Sequence, residues 1–187
     1  PPPRLAPAPP PPPIHSHPCP LVLCASPLPD ALVSGFTDCT LALTKRSNLG
    51  FSMLALSMVA MVLPGSLERF GFGQRTGIDY PGESDGMLPL RARWRDVERA
   101  ALSYGYGVST TALQLAQAYA ILAHDGRRVP LSLLTVDQPP EGEQVIAPAS
   151  AQSIVRMLET VVSIEGTASR AQISGYQVAG KTGTVHK

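Results

Sequence analysis

The chain has 187 residues, enough for one domain with a real apolar core. Its formal net charge is +1, so bulk charge supplies no argument for a polyanionic partner. Three cysteines gathered at Cys19, Cys24 and Cys39 do not define a disulfide framework, and ordinary unpaired thiols are expected. The Cys19–Cys24 pair and the His15–Ser16–His17 run lack the further ligands that a metal site needs.

Composition divides the chain. Thirteen of the twenty prolines fall within residues 1–29, and Pro9 to Pro13 is unbroken. Proline cannot donate to a helix or sheet ladder, so residues 1–33 read as a disordered, extended tail. A ligand for a proline-binding module is the other reading of this segment. No secretory signal is present: Pro27 and Pro29 interrupt the apolar stretch, and no charged segment leads into it. The run from Phe51 to Leu63 is too short to cross a bilayer and predicts a buried helix.

From residue 34 the chain reads as one ordered unit, 34–187. Thr40 to Thr44 fits a short helix or a short strand. Ser47 or Asn48 then caps the helix of the apolar run, which is rich in Leu, Met and Ala and apolar nearly all round. A short helix starts at Ser66 and stops at Gly71. Phe70 to Gly77 is a glycine-punctuated loop, and Tyr80-Pro81-Gly82-Glu83 is a turn. Arg91, Arg93, Arg95 and Arg99 interleave with Asp96 and Glu98, which predicts a solvated helix face rather than a nucleic-acid patch. Trp94 anchors that segment to the core.

Tyr104 to Thr111 is a loop leading to a helix over Ala112 to Ala123, capped by Ser109 or Thr110. Leu113, Leu115, Ala116, Tyr119, Ala120 and Leu122 form its apolar face, with Gln114 and Gln117 outside. Gly126 ends it, and His124 meets the last carbonyls. Arg128 to Val136 is an edge-strand candidate, Asp137 to Gly142 a turn and Gln144 to Ile146 a short strand. Pro148 opens a helix whose face is Ile154, Met157, Leu158, Val161 and Val162. Gly166 breaks it, Thr167 to Ser174 is a polar connection, and a final strand carries Lys181.

That last stretch, Val178-Ala179-Gly180-Lys181-Thr182-Gly183-Thr184-Val185, concentrates the chemistry. It offers one cation, two hydroxyls and a glycine along which a ligand backbone can pair. Lys-Thr-Gly is one of three elements that serine acyl-transfer enzymes need. Gly175 to Thr182 also matches the P-loop expression of a nucleotide-binding protein. A P-loop needs an apolar strand before it and a helix after it. Ser169 to Ser174 is too polar for that strand, and Gly183 is a poor second helix residue.

Five stretches together, Lys45 to Gly50, Phe70 to Gly77, Tyr80 to Glu83, Tyr104 to Ala120 and Gly180 to Thr184, resemble the transpeptidase domain of class B penicillin-binding proteins. The likeness covers roughly residues 35–187 and is strongest to the division-specific peptidoglycan D,D-transpeptidases of Gram-negative bacteria. It implies an α+β (α/β), β-lactamase-like fold, here a helical subdomain with part of an antiparallel sheet. It also implies acyl transfer that cross-links the stem peptides of septal peptidoglycan, with β-lactams trapping the nucleophilic serine. No metal or organic cofactor is implied, and no nucleic acid. The implied partners are stem peptides, β-lactams and membrane proteins of the divisome. The implied location is the periplasmic face of the inner membrane, although no anchor or signal stands in these residues.

By the same resemblance Lys181 is catalytic: it keeps the site electropositive and, with Thr182 and Thr184, binds the terminal carboxylate. Gly183 belongs to the same substrate-binding run. The Thr184 N–H faces the developing oxyanion. Asn48 is the third residue of the Ser-x-Asn motif, hydrogen-bonding the stem-peptide amide and the catalytic lysine, and Tyr106 lines the cleft near it. Two departures stand out. The family's motif begins with serine where this chain has Arg46, whose guanidinium cannot relay a proton. Ser47 is one position late, turned by about 100° on a helix. No Ser-x-x-Lys occurs in these residues, so they read as an incomplete transpeptidase domain, inactive alone. A non-catalytic module that keeps the scaffold without its serine is a further reading.

Overall fold

The computed structural model describes residues 28–30, 35–89, 91, 93–138 and 140–183. The proline run, His15, His17, Cys19, Cys24 and Thr184 lie outside these residues. Strand β1 (Leu28–Asp30) pairs antiparallel with β2 (Gly35–Thr37), Leu28 opposite Thr37. β1 therefore falls inside the segment that its prolines predicted to be unpaired.

Asp38 starts the first helix, its carboxylate accepting from the Leu41 N–H at 2.7 Å. This cap decides for helix over strand: α1 spans Cys39–Lys45. Cys39 is disulfide-bonded, which corrects the expectation of a free thiol there. Arg46 closes α1 in the left-handed region, φ 60° and ψ 42°. The Ser47 N–H then reaches the Ala42 carbonyl at 2.9 Å, so an orphan carbonyl of the last turn is satisfied. Glycine usually fills such a position. Holding arginine there costs about 1–3 kcal/mol, which the surrounding packing must offset.

Ser47 is the N-cap of α2 (Asn48–Ser57), its hydroxyl accepting from the Gly50 N–H at 2.9 Å. The predicted buried helix running to Leu63 is corrected in two ways. It stops at Ser57, and α3 (Val62–Arg69) leaves at a bend of 104°. Only Gly50 and Ala55 of α2 are fully buried, while Leu49 and Leu56 are each 40% exposed. Two causes act. Pro64 suits the first turn of a new helix but not the middle of an old one. The Arg99 guanidinium satisfies the carbonyls of Ala55, Leu56 and Met58, so α2 can end there. Pro64 sets the start of α3 four residues before the predicted Ser66. Among the described residues no single helix is long and apolar enough to cross a membrane.

Arg99 belongs to α4 (Asp96–Ser103), which packs along α2. Arg91 and Arg95 pair with Glu98 on the solvent side, as the interleaved charges predicted. Arg99 differs: its side chain is only 11% exposed because it reaches into the end of α2. The Trp94 indole is half-buried, with its N–H enclosed and unpartnered among the described residues.

α5 spans Ala112–Ala123, as its periodicity predicted, but Thr111 caps it rather than Ser109 or Thr110. The Gln114 N–H donates to the Thr111 hydroxyl at 3.1 Å, and the Thr111 N–H returns to Gln114 Oε1 at 2.9 Å. The predicted face is corrected as well. Gln114 and Gln117 are buried, whereas Leu115 and Tyr119 are exposed. Gln114 Nε2 donates to the Gln74 carbonyl at 2.7 Å and the Asp85 carbonyl at 2.9 Å. The glycine-rich loop carries backbone acceptors that a leucine could not satisfy, and this turns the helix. The same loop is closed by Glu83, which accepts from the Thr76 N–H at 2.7 Å and hydroxyl at 2.5 Å.

Gly126, at φ 82°, ends α5 by donating to the Ile121 carbonyl at 2.8 Å, and His124 Nδ1 lies 3.0 Å from the Ala120 carbonyl. The two predicted strands shrink to β3 (Arg127–Arg128) and β4 (Glu143–Gln144), an antiparallel pair. Pro130, which has no N–H, ends the ladder early. α6 (Pro148–Val162) buries Ala151, Leu158, Val161 and Val162. α1 and α5 both pack on it, so α6 is the spine of the core.

Candidate functional site

The C-terminal half of α6 gathers two distant parts of the chain. From one side comes the end of α1: the Thr44 and Thr160 hydroxyls share a hydrogen bond of 2.6 Å, and Lys45 Nζ donates to the Glu165 carbonyl at 3.3 Å. From the other comes the Lys-Thr-Gly segment. The Gly180 N–H donates to the Leu158 carbonyl at 3.3 Å, and the Thr182 and Thr167 hydroxyls lie 3.3 Å apart. Gly180 rests beside the Val162 side chain.

This segment is not the predicted strand. Residues 177–183 carry no ladder, because no described strand lies beside them and the Gly180 N–H is already spent on α6. The P-loop reading fails on the same ground. The residues before Gly175 form a 3₁₀ turn, Ser169–Ala171, and no strand leads into the glycine.

Lys181 is half-buried, and its Nζ donates to the Thr182 carbonyl at 3.1 Å. Burial holds its pKa below the ordinary lysine value, and the nearby Arg46 guanidinium lowers it further. No described carboxylate raises it in compensation. The packing that brings α1 to the end of α6 thus places Arg46 within electrostatic reach of Lys181.

The other predicted residues divide. Asn48 opens α2 two positions after Arg46, exposed, its carbonyl accepting from the Ser52 hydroxyl at 2.8 Å. Ser47 is not available as a replacement for the motif's serine, since the residue is 2% exposed and its hydroxyl is engaged in the cap. Thr182 is half-buried. Gly183 is exposed, and a Cβ there would meet nothing within 4 Å, which leaves its backbone open to a ligand. Tyr106 stands on the loop after α4, 51% exposed, edge-to-face with Tyr104 at 5.6 Å between ring centres. Nothing described links Tyr106 to Lys181. A groove of about 600 Å³, lined by Glu159, Val162, Ile173, Tyr176 and Val178, borders the Lys-Thr-Gly segment at Val162, and none of Asn48, Tyr106, Lys181, Thr182 and Gly183 lines it. Thr160 escaped the sequence reading, although a threonine amid the apolar face of α6 was a visible signal.

Residues 30–187 match the family model described as the penicillin binding protein transpeptidase domain. The chain belongs to the penicillin-binding protein transpeptidase family. Among its relatives, the peptidoglycan D,D-transpeptidase FtsI of Escherichia coli is 41% identical over 157 residues, 83% of this chain and 27% of that one. The probable peptidoglycan D,D-transpeptidase PbpC of Pseudomonas aeruginosa is 39% identical over 145 residues, 78% of this chain and 26% of that one. The chain therefore spans about a quarter of the length of the curated relatives it matches. Its fold follows the apo transpeptidase domain of Burkholderia pseudomallei penicillin-binding protein 3, with a TM-score of 0.77, 39% identity, and coverage of 82% of this chain and 47% of that one. The α+β class with a helical subdomain is the family's own, here with two small antiparallel pairs among the described residues.

Proposed function

We propose that these residues supply the second and third motifs of a peptidoglycan D,D-transpeptidase site. The observation that carries the reading is that α1, which ends just before the Asn48 motif, and the Lys-Thr-Gly segment are both held on the C-terminal half of α6. In this reading a serine outside these residues attacks the penultimate D-Ala carbonyl of a stem peptide, D-Ala leaves, and an amine of a neighbouring strand resolves the acyl-enzyme. Lys181 and Thr182, with Thr184, hold the terminal carboxylate. The Thr184 N–H stabilises the oxyanion, a donor worth most in the transition state. Asn48 bonds the stem-peptide amide, Gly183 lets the peptide backbone approach, and Tyr106 walls the cleft.

The same reading makes β-lactams inhibitors, because they mimic the D-Ala-D-Ala end. It places the site at the periplasmic face of the inner membrane, with divisome membrane proteins as partners, on the strength of the likeness to FtsI. Calorimetric titration with acetyl-D-Ala-D-Ala and its L,L isomer tests it. The D,D peptide binds, the L,L isomer does not, and Lys181→Met abolishes the difference. Equal binding of the two isomers overturns the reading, as does ATP binding that requires Lys181.

A further inference from the structure

We propose that the proline run Pro9–Pro13 docks in cis on the aromatic pair Tyr104 and Tyr106, so that one chain carries both a polyproline ligand and the surface that takes it. The inference goes beyond the transpeptidase reading and needs neither Lys181 nor the Asn48 motif. The surface is built at the end of α4. Tyr104 is the C-cap of that helix. The N–H groups of Tyr104, Gly105 and Tyr106 donate to the carbonyls of Ala101, Leu102 and Ala101 at 3.4, 3.1 and 3.0 Å. The backbone under both rings is therefore tied to the helix. The rings meet edge to face with 5.6 Å between centres, the one ring pair among the described residues. They are still 40% and 51% exposed. A Cβ at Gly105 or Gly107 would meet nothing within 4 Å, so the ground beside the rings is open. Neither phenol hydroxyl has a hydrogen-bond partner among the described residues.

Chemistry, charge and reach choose the occupant. A polyproline II helix has no internal hydrogen bonds, so its carbonyls can accept from the two phenols while its pyrrolidine rings pack on the tyrosine faces. Aromatic-lined surfaces take Pro-rich segments in this way. Charge agrees on both sides. Residues 100–123 contain no Asp, Glu, Lys, Arg or His, and neither do residues 5–14 around the run. The groove beside α6 matches less well, since it offers Tyr176 alone and carries the Glu159 carboxylate. Residues 14–27 join the run to β1, a reach of at most roughly 50 Å. β1 packs against α2, and α2 along α4, whose end presents the rings. A short tether gives an effective concentration on the order of 1 mM, so a run of modest affinity is held mainly by its own chain.

The test titrates a synthetic peptide of residues 5–14 into two forms of the whole chain, followed by NMR. One is the parent; in the other, Pro9→Ala through Pro13→Ala empty the surface. In the emptied chain the peptide shifts the amides of Gly105, Tyr106 and Gly107. The parent binds the same peptide at least about tenfold more weakly, because its own run competes. In the emptied chain Tyr104→Ala and Tyr106→Ala each weaken the peptide about tenfold, while Tyr176→Ala leaves it unchanged. Far-UV circular dichroism checks that each variant folds. No shift at Gly105 to Gly107, equal affinity in the parent and the emptied chain, or indifference to both tyrosine variants overturns the proposal. Competition that strengthens with the parent's concentration assigns the run to a second copy and overturns docking in cis. If a tyrosine variant fails to fold, the parent alone decides: nuclear Overhauser contacts between proline Hδ and the Tyr104 or Tyr106 ring protons sustain the proposal, and their absence overturns it.

Discussion

Lys181, far along the chain from Arg46, lies within electrostatic reach of it, because α1 and the Lys-Thr-Gly segment both attach to the C-terminal half of α6. The charge on Lys181 is not placed there for stability. The Lys181 pKa is lowered first by burial and then by Arg46, so the folded state disfavours the protonated lysine. The full penalty applies below the lowered pKa. As pH rises through it toward the ordinary value of 10.5, the unfolded chain holds more protons than the folded one, and stability increases.

Lys181→Met therefore raises thermal stability at neutral pH, on the order of 0.5 kcal/mol after solvent screening, and flattens the alkaline rise. Arg46→Asn flattens it less, because burial is the larger cause. Melting curves from pH 7 to 10.5 at low and high salt check both effects. A loss of stability in Lys181→Met at neutral pH contradicts this electrostatic account.

Gln114 is the joint between α5 and the loop that precedes α4. Its side chain donates to the Gln74 and Asp85 carbonyls and accepts from the Thr111 N–H. Gln114→Leu keeps the volume and leaves those buried carbonyls without donors. It lowers unfolding stability by about 2–4 kcal/mol, read from urea denaturation. Gln152→Leu, on the exposed side of α6, changes stability by about 0.5 kcal/mol or less.

No Ser-x-x-Lys stands in these 187 residues. A fluorescent penicillin therefore forms no stable covalent adduct with this chain, as read on a denaturing gel. A stoichiometric adduct reveals a nucleophile the motifs do not predict, and mass spectrometry of the labelled peptide then names it.

The helices were legible because their signals are local. Thr111 with Gln114, Pro148 and Gly126 bound α5 and α6 nearly where periodicity placed them. The strands were not, since a strand exists only through a partner, and the Lys181 segment has none beside it among the described residues. Helix faces misled where backbone acceptors outweighed side-chain hydrophobicity. Gln114 is buried for the carbonyls it satisfies, and Leu115 is turned out as a result. The break after Ser57 depended on Arg99, 42 residues further along, a relation that no local window contains. The family was legible from the type and order of its motifs. The attachment of both α1 and the Lys-Thr-Gly segment to α6 was not, because it is made by packing between residues far apart in the chain.

The most direct test of the central claim follows amide resonances of the full chain during titration with acetyl-D-Ala-D-Ala. The Asn48 side-chain amide and the backbone amides of Lys181 and Thr182 shift together and give one dissociation constant, while Ile173 and Tyr176 in the neighbouring groove stay still. Shifts confined to that groove, or different constants for Asn48 and Lys181, contradict a shared peptide-binding cleft.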